Sequence, residues 1–295
     1  MRLPHTTDLK GVDAALVGVP FDTGSTFRVG ARFGPAAIRD ASILLRPYNP
    51  SLDVDLSQLC SICDYGDLDV VPGFTEDSYS LIAAGLGKVL DAGAVPVLLG
   101  GDHSVTLPEL RALHRIHGKV ALLHLDAHSD TWDQYFGHPY THGTPFRRAV
   151  EEGLVNPFGS VQAGLRGPLY GKNDLQEARD LGYTLVTCRE MQEKGIPWTV
   201  QVIREKIGTQ KVFCSFDLDV VDPAYAPGTS VPEPGGLSSG EALELIRGFG
   251  GLNFVGFDVV ECLPPYDPTG ITSLLAAHVA YEFLSLTAVG RGESF

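Results

Sequence analysis

The feature that most constrains this chain is the placement of short acidic and histidine-bearing segments directly after apolar runs. Val120-Ala-Leu-Leu-His-Leu125 leads into Asp-Ala-His-Ser-Asp at 126–130, and Val212-Phe-Cys-Ser-Phe216 leads into Asp-Leu-Asp at 217–219. A third segment, Gly-Gly-Asp-His-Ser at 100–104, follows Val97-Leu-Leu99. Short continuous apolar runs form strands buried on both faces, the habit of parallel sheets covered by helices. Apolar runs at 14–19, 95–99, 120–125, 212–216 and 252–257 alternate with stretches at 76–92, 104–116, 238–248 and 272–286 of helical length and spacing. The rhythm predicts an α/β fold, a parallel sheet sandwiched by helices, with the polar segments at the carboxyl ends of the strands where open sheets bind ligands. Gly and Pro clusters at 72–73, 226–236 and 263–270 punctuate elements rather than mark a linker. No internal repeat is visible, so residues 1–295 are read as a single domain.

An extended chain puts alternate side chains on one face. Asp126, His128 and Asp130 therefore converge if the chain stays extended past its strand, and so do Asp217 and Asp219. With His103 they make six oxygen and imidazole donors and no thiolate, a set that suits hard-to-borderline divalent ions, Mn²⁺ best, rather than a structural zinc. Four aspartates carry too much charge for one closed four-coordinate ion. Two ions about 3.5–4 Å apart can share bridging carboxylates and lower the pKa of a coordinated water to about 7, which opens hydrolysis at neutral pH. His124, one step earlier in the strand, is read as a packed neighbour of this set, and Asp102 as a structural acceptor behind it.

With these segments in order, the chain resembles the ureohydrolase family of arginases, agmatinases and related guanidino-acid hydrolases. The resemblance runs from Gly-Val-Pro-Phe-Asp at 18–22 and Gly-Ala-Arg-Phe-Gly-Pro at 30–35 to Phe257-Asp-Val-Val-Glu261 and the following Asp-Pro-Thr-Gly-Ile-Thr. Its longest piece is Ser215-Phe-Asp-Leu-Asp-Val-Val-Asp-Pro-Ala-Tyr-Ala-Pro-Gly-Thr229, followed by Pro-Glu-Pro-Gly-Gly-Leu at 232–237. It implies two Mn²⁺ per chain, one bound by His103, Asp126, Asp130 and Asp217, the other by Asp126, His128, Asp217 and Asp219. Asp126 and Asp217 would bridge. His142, in Tyr140-Thr-His-Gly-Thr-Pro-Phe146, matches the family's proton shuttle, and Glu261 matches the carboxylate that holds the substrate guanidinium. The implied products are urea and an amine, and the implied assembly is a homo-oligomer, a trimer or hexamer.

Substrate choice falls to the loop Thr131-Trp-Asp-Gln-Tyr-Phe-Gly-His-Pro-Tyr-Thr141. It lacks the Ser- and Asn-containing pattern with which arginases read an amino acid, and its ending looks like the agmatinase branch. Agmatine, cleaved to putrescine, has a cation at each end, which Asp133 and the aromatic rings of Trp132, Tyr135 and Tyr140 would suit. A guanidino acid such as 4-guanidinobutyrate or 3-guanidinopropionate needs a cation instead, and Arg166 is the candidate; free guanidine is a further alternative. A different class of reading is a metal-binding regulatory subunit that does not turn over, against which His142 and Glu261 speak. A mononuclear zinc amidase would not need the doubled carboxylates.

Twenty-two basic against thirty-six acidic side chains give a net charge of −14, which disfavours nucleic acid and anionic membranes and attracts cationic guanidines. No secretory signal and no apolar span of about 18 residues is apparent, so a cytoplasmic enzyme is expected. Five scattered cysteines make no disulfide framework. The Cys60-x-x-Cys63 spacing lacks the second pair that a zinc ribbon needs.

Overall fold

The computed structural model describes residues 2–292. Its strands, in chain order, are β1 (Ala14–Gly18), β2 (Tyr48–Asn49), β3 (Val54–Asp55), β4 (Ile62–Asp67), β5 (Val95–Leu99), β6 (Ala121–Leu125), β7 (Val161–Leu165), β8 (Thr184–Thr187), β9 (Lys211–Asp217) and β10 (Asn253–Val260). Eight of them form one sheet in the order β4-β1-β5-β10-β9-β6-β7-β8, and every pairing in it is parallel. β2 and β3 make a small antiparallel pair outside it.

The helices are α1 (Gly34–Ala41), α2 (Leu56–Leu59), α3 (Thr75–Asp91), α4 (Thr106–His117), α5 (Pro145–Glu151), α6 (Asp174–Asp180), α7 (Cys188–Lys194), α8 (Ile196–Ile207), α9 (Ser239–Arg247) and α10 (Ile271–Gly292). Alternation along the strands divides the core in two. Val17, Leu98, Leu122 and Phe213 point to one face and pack with α3 (Thr75–Asp91) and α4 (Thr106–His117) through Ile82, Leu86, Leu110 and Leu113. Val97, Leu123, Cys214, Phe216 and Phe257 point to the other, toward α8 (Ile196–Ile207), α9 (Ser239–Arg247) and α10 (Ile271–Gly292). The helix-sandwiched parallel sheet is the architecture the sequence pattern predicts.

The expectation that the chain has no long apolar span needs correction. Helix α10 is long and apolar enough by composition to cross a membrane, but its apolar surface is spent on the sheet, with Phe283 stacked on Phe257 at 4.5 Å between ring centroids. The one buried charge on it, Glu282, is held by Arg247 at 2.6 Å and by Asn49 at 2.9 Å. All five cysteines are buried and free. Burial pushes the Cys60 thiol up to about 11, which makes it a poor nucleophile or metal ligand.

Candidate metal centre and catalytic pocket

Four neighbouring central strands, β5, β10, β9 and β6, deliver the site from one edge of the sheet. His103 follows β5, Glu261 follows β10, Asp217 and Asp219 lie at the end of β9, and Asp126, His128 and Asp130 follow β6. The edges are bound to each other: Oε1 of Glu261 accepts the backbone N–H of His103 at 2.9 Å. Gly101 lets the backbone of Phe21 pack against the end of β5, because a Cβ there would run into the Phe21 carbonyl oxygen.

The ligand segments converge by turning, which corrects the expectation of an extended chain. Leu218–Val220 is a 3-10 turn, and the N–H of Asp219 donates to Oδ1 of Asp217 at 2.8 Å. The N–H of His128 donates likewise to Oδ1 of Asp126 at 2.6 Å. Each aspartate thus tightens its own turn through the amide two residues on. Asp130 and Glu261 have φ of 48° and 61°, left-handed values that non-glycine residues seldom adopt and that cluster at functional sites.

Nδ1 of His103 lies 3.0 Å from Asp126 Oδ2, 3.1 Å from Asp130 Oδ2 and 3.1 Å from Asp217 Oδ2. It is buried with no hydrogen-bond partner. Nδ1 of His128 lies 3.0 Å from Asp219 Oδ2 and 3.4 Å from Asp126 Oδ1. Asp126 therefore offers one oxygen to each group. Asp217 joins the first through Oδ2 and gives Oδ1 to the Asp219 amide. His124 belongs to the first group by distance, but its ring is otherwise engaged. The side-chain amide nitrogen of Gln162 donates to Ser129 O at 2.7 Å and to His124 Nδ1 at 3.0 Å. His124 must then carry its proton on Nε2, which donates to Asp126 Oδ2 at 2.7 Å.

The electrostatics fit a pair of divalent ions. Burial lowers the pKa values of His103 and His128, yet the surrounding carboxylates raise them well above the ordinary histidine range. Burial, with its neighbours Asp219 and Asp126, raises Asp217 well above the carboxylate range, and burial lifts Asp219 to about 6. Protons are relieving an excess of negative charge that metal cations relieve when they displace them. The orphaned Nδ1 of His103, aimed at three carboxylate oxygens, is the direct sign that the donor set suits such ions.

Beside this cluster, Glu261 accepts from His103 N and from Nδ1–H of His142, the latter at 3.2 Å, both through Oε1. Its Oε2 is buried without a partner. Nε2 of His142 accepts the backbone N–H of Thr26 at 3.3 Å and lies 2.6 Å from the Thr26 hydroxyl. A cavity of about 60 Å³ opens between these groups, lined by Thr26, His128, Asp130, Trp132, His142 and Glu261 among others. It adjoins a cleft of about 340 Å³ walled by Trp132, Tyr135, Tyr170, Arg166 and Glu233. Trp132 stacks on Tyr135 at 4.9 Å.

Two expected substrate contacts fall elsewhere, and a third lies at the cleft with its donors spent. Asp133 is exposed and paired with Arg148 at 2.6 Å. Tyr140 packs edge-on against Tyr79 and lines an outer cleft of about 730 Å³, which shares Thr26 and Tyr135 with the small cavity. Arg166 lines the inner cleft, but its guanidinium donates to the carbonyls of Gly164, Asp219, Val220, Val221, Glu233 and Pro234. It clasps two loops and has no fork left for a carboxylate. Thr26 and Gln162 are partners of the site that lie outside the motifs, and Ser215 and Asp258 lie inside them with no role assigned by the sequence. Asp258 alone leaves a sequence signal, a charge inside the apolar run of β10.

With this geometry in place, comparison with known proteins is specific. The Arginase family model matches residues 12–285. A guanidinobutyrase of Pseudomonas aeruginosa is 45% identical over 96% of this chain and 90% of its own length. A mitochondrial agmatinase of Gallus gallus is 45% identical over 96% of this chain and 84% of its own. The solved proclavaminate amidinohydrolase of Streptomyces clavuligerus superposes with a TM-score of 0.94 at 43% identity, over 98% of this chain and 96% of that one. The chain belongs to the arginase family of ureohydrolases. It is a metal-dependent amidinohydrolase of guanidino compounds.

Proposed function

We propose that the chain cleaves the guanidinium end of a small linear guanidine to urea and an amine, using two divalent ions, manganese by preference. His103, Asp126, Asp130 and Asp217 would hold one ion, and Asp126, His128 and Asp219, completed by Asp217, the other. The observation that carries this reading is the buried, partnerless Nδ1 of His103 among three carboxylate oxygens. Such ions, when bound, supply Lewis acidity and lower the pKa of water. Glu261 orients the substrate: its free Oε2 offers a guanidinium a charge-assisted hydrogen bond. His142, braced between Glu261 and Thr26, carries the proton that the departing amine needs.

For the tail of the substrate we favour a cation, and hence agmatine, giving putrescine. Among the described residues lining the two inner cavities, Arg166 is the one guanidinium and it is fully used, whereas Glu233 faces the cleft 3.9 Å from His128 Nε2 with no Lys or Arg ion pair. Trp132, Tyr135 and Tyr170 add aromatic faces that suit an ammonium. A guanidino acid is the second reading, favoured by the equal identity to a guanidinobutyrase. Urea release by manganese-loaded protein from agmatine, 4-guanidinobutyrate, 3-guanidinopropionate, arginine and guanidine decides between them. Preference for a guanidino acid overturns the cationic tail, and silence with both ions bound overturns catalysis.

A further inference from the structure

Glu109 lies wholly inside the protein, on α4, and neither of its oxygens has a hydrogen-bond donor among the described residues. Among the described residues no Lys or Arg pairs with it, and the arginines of its own helix go elsewhere, Arg111 to Glu152 and Arg115 to Asp91. A carboxylate cannot persist in such a place without a partner; a carboxylic acid can. Its neighbour is Asp258, which Thr106, one turn earlier on the same helix, also reaches: Oδ1 takes the Ser215 hydroxyl at 2.7 Å and the Phe216 N–H at 3.2 Å, and Oδ2 takes the Thr106 hydroxyl at 2.7 Å with one lone pair left over. Asp258 takes three donors and Glu109 takes none, so the proton between them is placed on Glu109. The Ser215 hydroxyl, spent on Asp258, can only accept from Nε2–H of His103, 2.8 Å away. The whole chain of contacts is buried, on the far side of His103 from its three aspartates.

We infer that Glu109 is a positioning residue kept as a neutral acid, which holds Asp258 and, through Ser215, fixes the ring of His103 with Nδ1 presented to the metal centre. This rests on the reading of His103 as a metal ligand. Partners behind a metal-binding histidine set its tautomer and basicity, and their loss typically weakens metal affinity by about 10–100-fold.

The test uses the full-length protein stripped of metal and titrated with Mn²⁺. Glu109→Gln keeps a donor toward Asp258 and no charge, so its affinity should stay within about threefold of the parent. Glu109→Met keeps the bulk and removes the donor, and affinity should fall about 10–100-fold. Ser215→Ala should fall similarly, and Glu109→Met added to it should cost little more, because the link is already broken. Infrared spectra at neutral pH should show a protonated-carboxyl C=O band that vanishes in Glu109→Gln. Equal damage from Gln and Met, additive losses with Ser215→Ala, or absence of the band each overturns the inference. A parent protein that takes up no manganese overturns the ligand reading instead, which the infrared band does not depend on.

Discussion

Nε2 of His124 donates to Oδ2 of Asp126 at 2.7 Å, and the opposite nitrogen of the same ring is occupied by Gln162. A histidine that looks like a seventh donor is thereby turned into a brace for the aspartate that stands between both ligand groups. His124→Leu should weaken manganese binding by about 10–100-fold while both ions still bind at saturation. Loss of one ion at saturating metal, measured by elemental analysis, would return His124 to the ligand set.

Asp126 presents one oxygen to the His103 group and the other to the His128 group, whereas Asp130 serves His103 alone. Asp126→Asn should lower affinity for both ions and reduce turnover by orders of magnitude; Asp130→Asn should weaken one ion selectively. Identical stoichiometry and activity in the two variants would contradict a shared carboxylate.

His142 touches Glu261 and Thr26 and none of the aspartates at hydrogen-bond distance. His142→Ala should keep both metals and slow kcat by about 10²–10⁴-fold. Burial pulls its pKa down, but Glu261 more than offsets this and the net shift is upward. The limb of the pH–rate profile that His142 contributes should accordingly be missing in the variant. A profile of unchanged shape would remove His142 from proton transfer.

In the metal-free protein His103, His128 and Asp217 all have folded pKa values raised well above their ordinary values, and Asp219 is raised to about 6. A raised folded pKa means stability that is present below the unfolded pKa and lost as pH climbs through the folded one. Metal-free protein should therefore lose thermal stability as pH rises from about 4, through Asp217 and Asp219, and go on losing it above about 6.5 through His103 and His128, and manganese should abolish that loss. Metal uptake must expel the same protons, so affinity should rise with pH. A metal-free Tm that increases over this range would contradict the charge cluster.

Arg166 binds backbone carbonyls on both sides of the 219–221 and 233–234 loops. Arg166→Lys cannot span them and should cost at least about 1.5–3 kcal/mol, the worth of a single hydrogen bond to a charged group. The ratio of agmatine to 4-guanidinobutyrate turnover should not move. A selective loss of the guanidino acid, with stability intact by denaturant titration, would make Arg166 its anchor after all.

The central strands were legible in the sequence because burial on both faces writes them as unbroken apolar runs, as in Val97-Leu-Leu99 and Val120-Ala-Leu-Leu-His-Leu125. β4, with Asp64, Gly66 and Asp67, and the short β8 are sheet edges that need no such run, and β7 carries Gln162 and Gly164 for the sake of neighbouring groups. The site motifs were legible for the same reason, since each continues a readable strand. What sequence spacing could not convey is which way a turn aims: Asp133 lies close to the ligands in sequence and points to Arg148, while Thr26 is distant and touches His142. Those choices are made by packing between loops.

The strand order has a consequence for how the protein is made. β9 and β10, the last two strands to leave the ribosome, occupy the slot between β5 and β6. His103 and the ligands at 126–130 flank strands that meet only through those two, and a chain ending at residue 210 lacks Asp217, Asp219 and Glu261. The metal centre is thus complete only when the last two strands close the sheet, so a chain arrested before that point should release no urea from any guanidine.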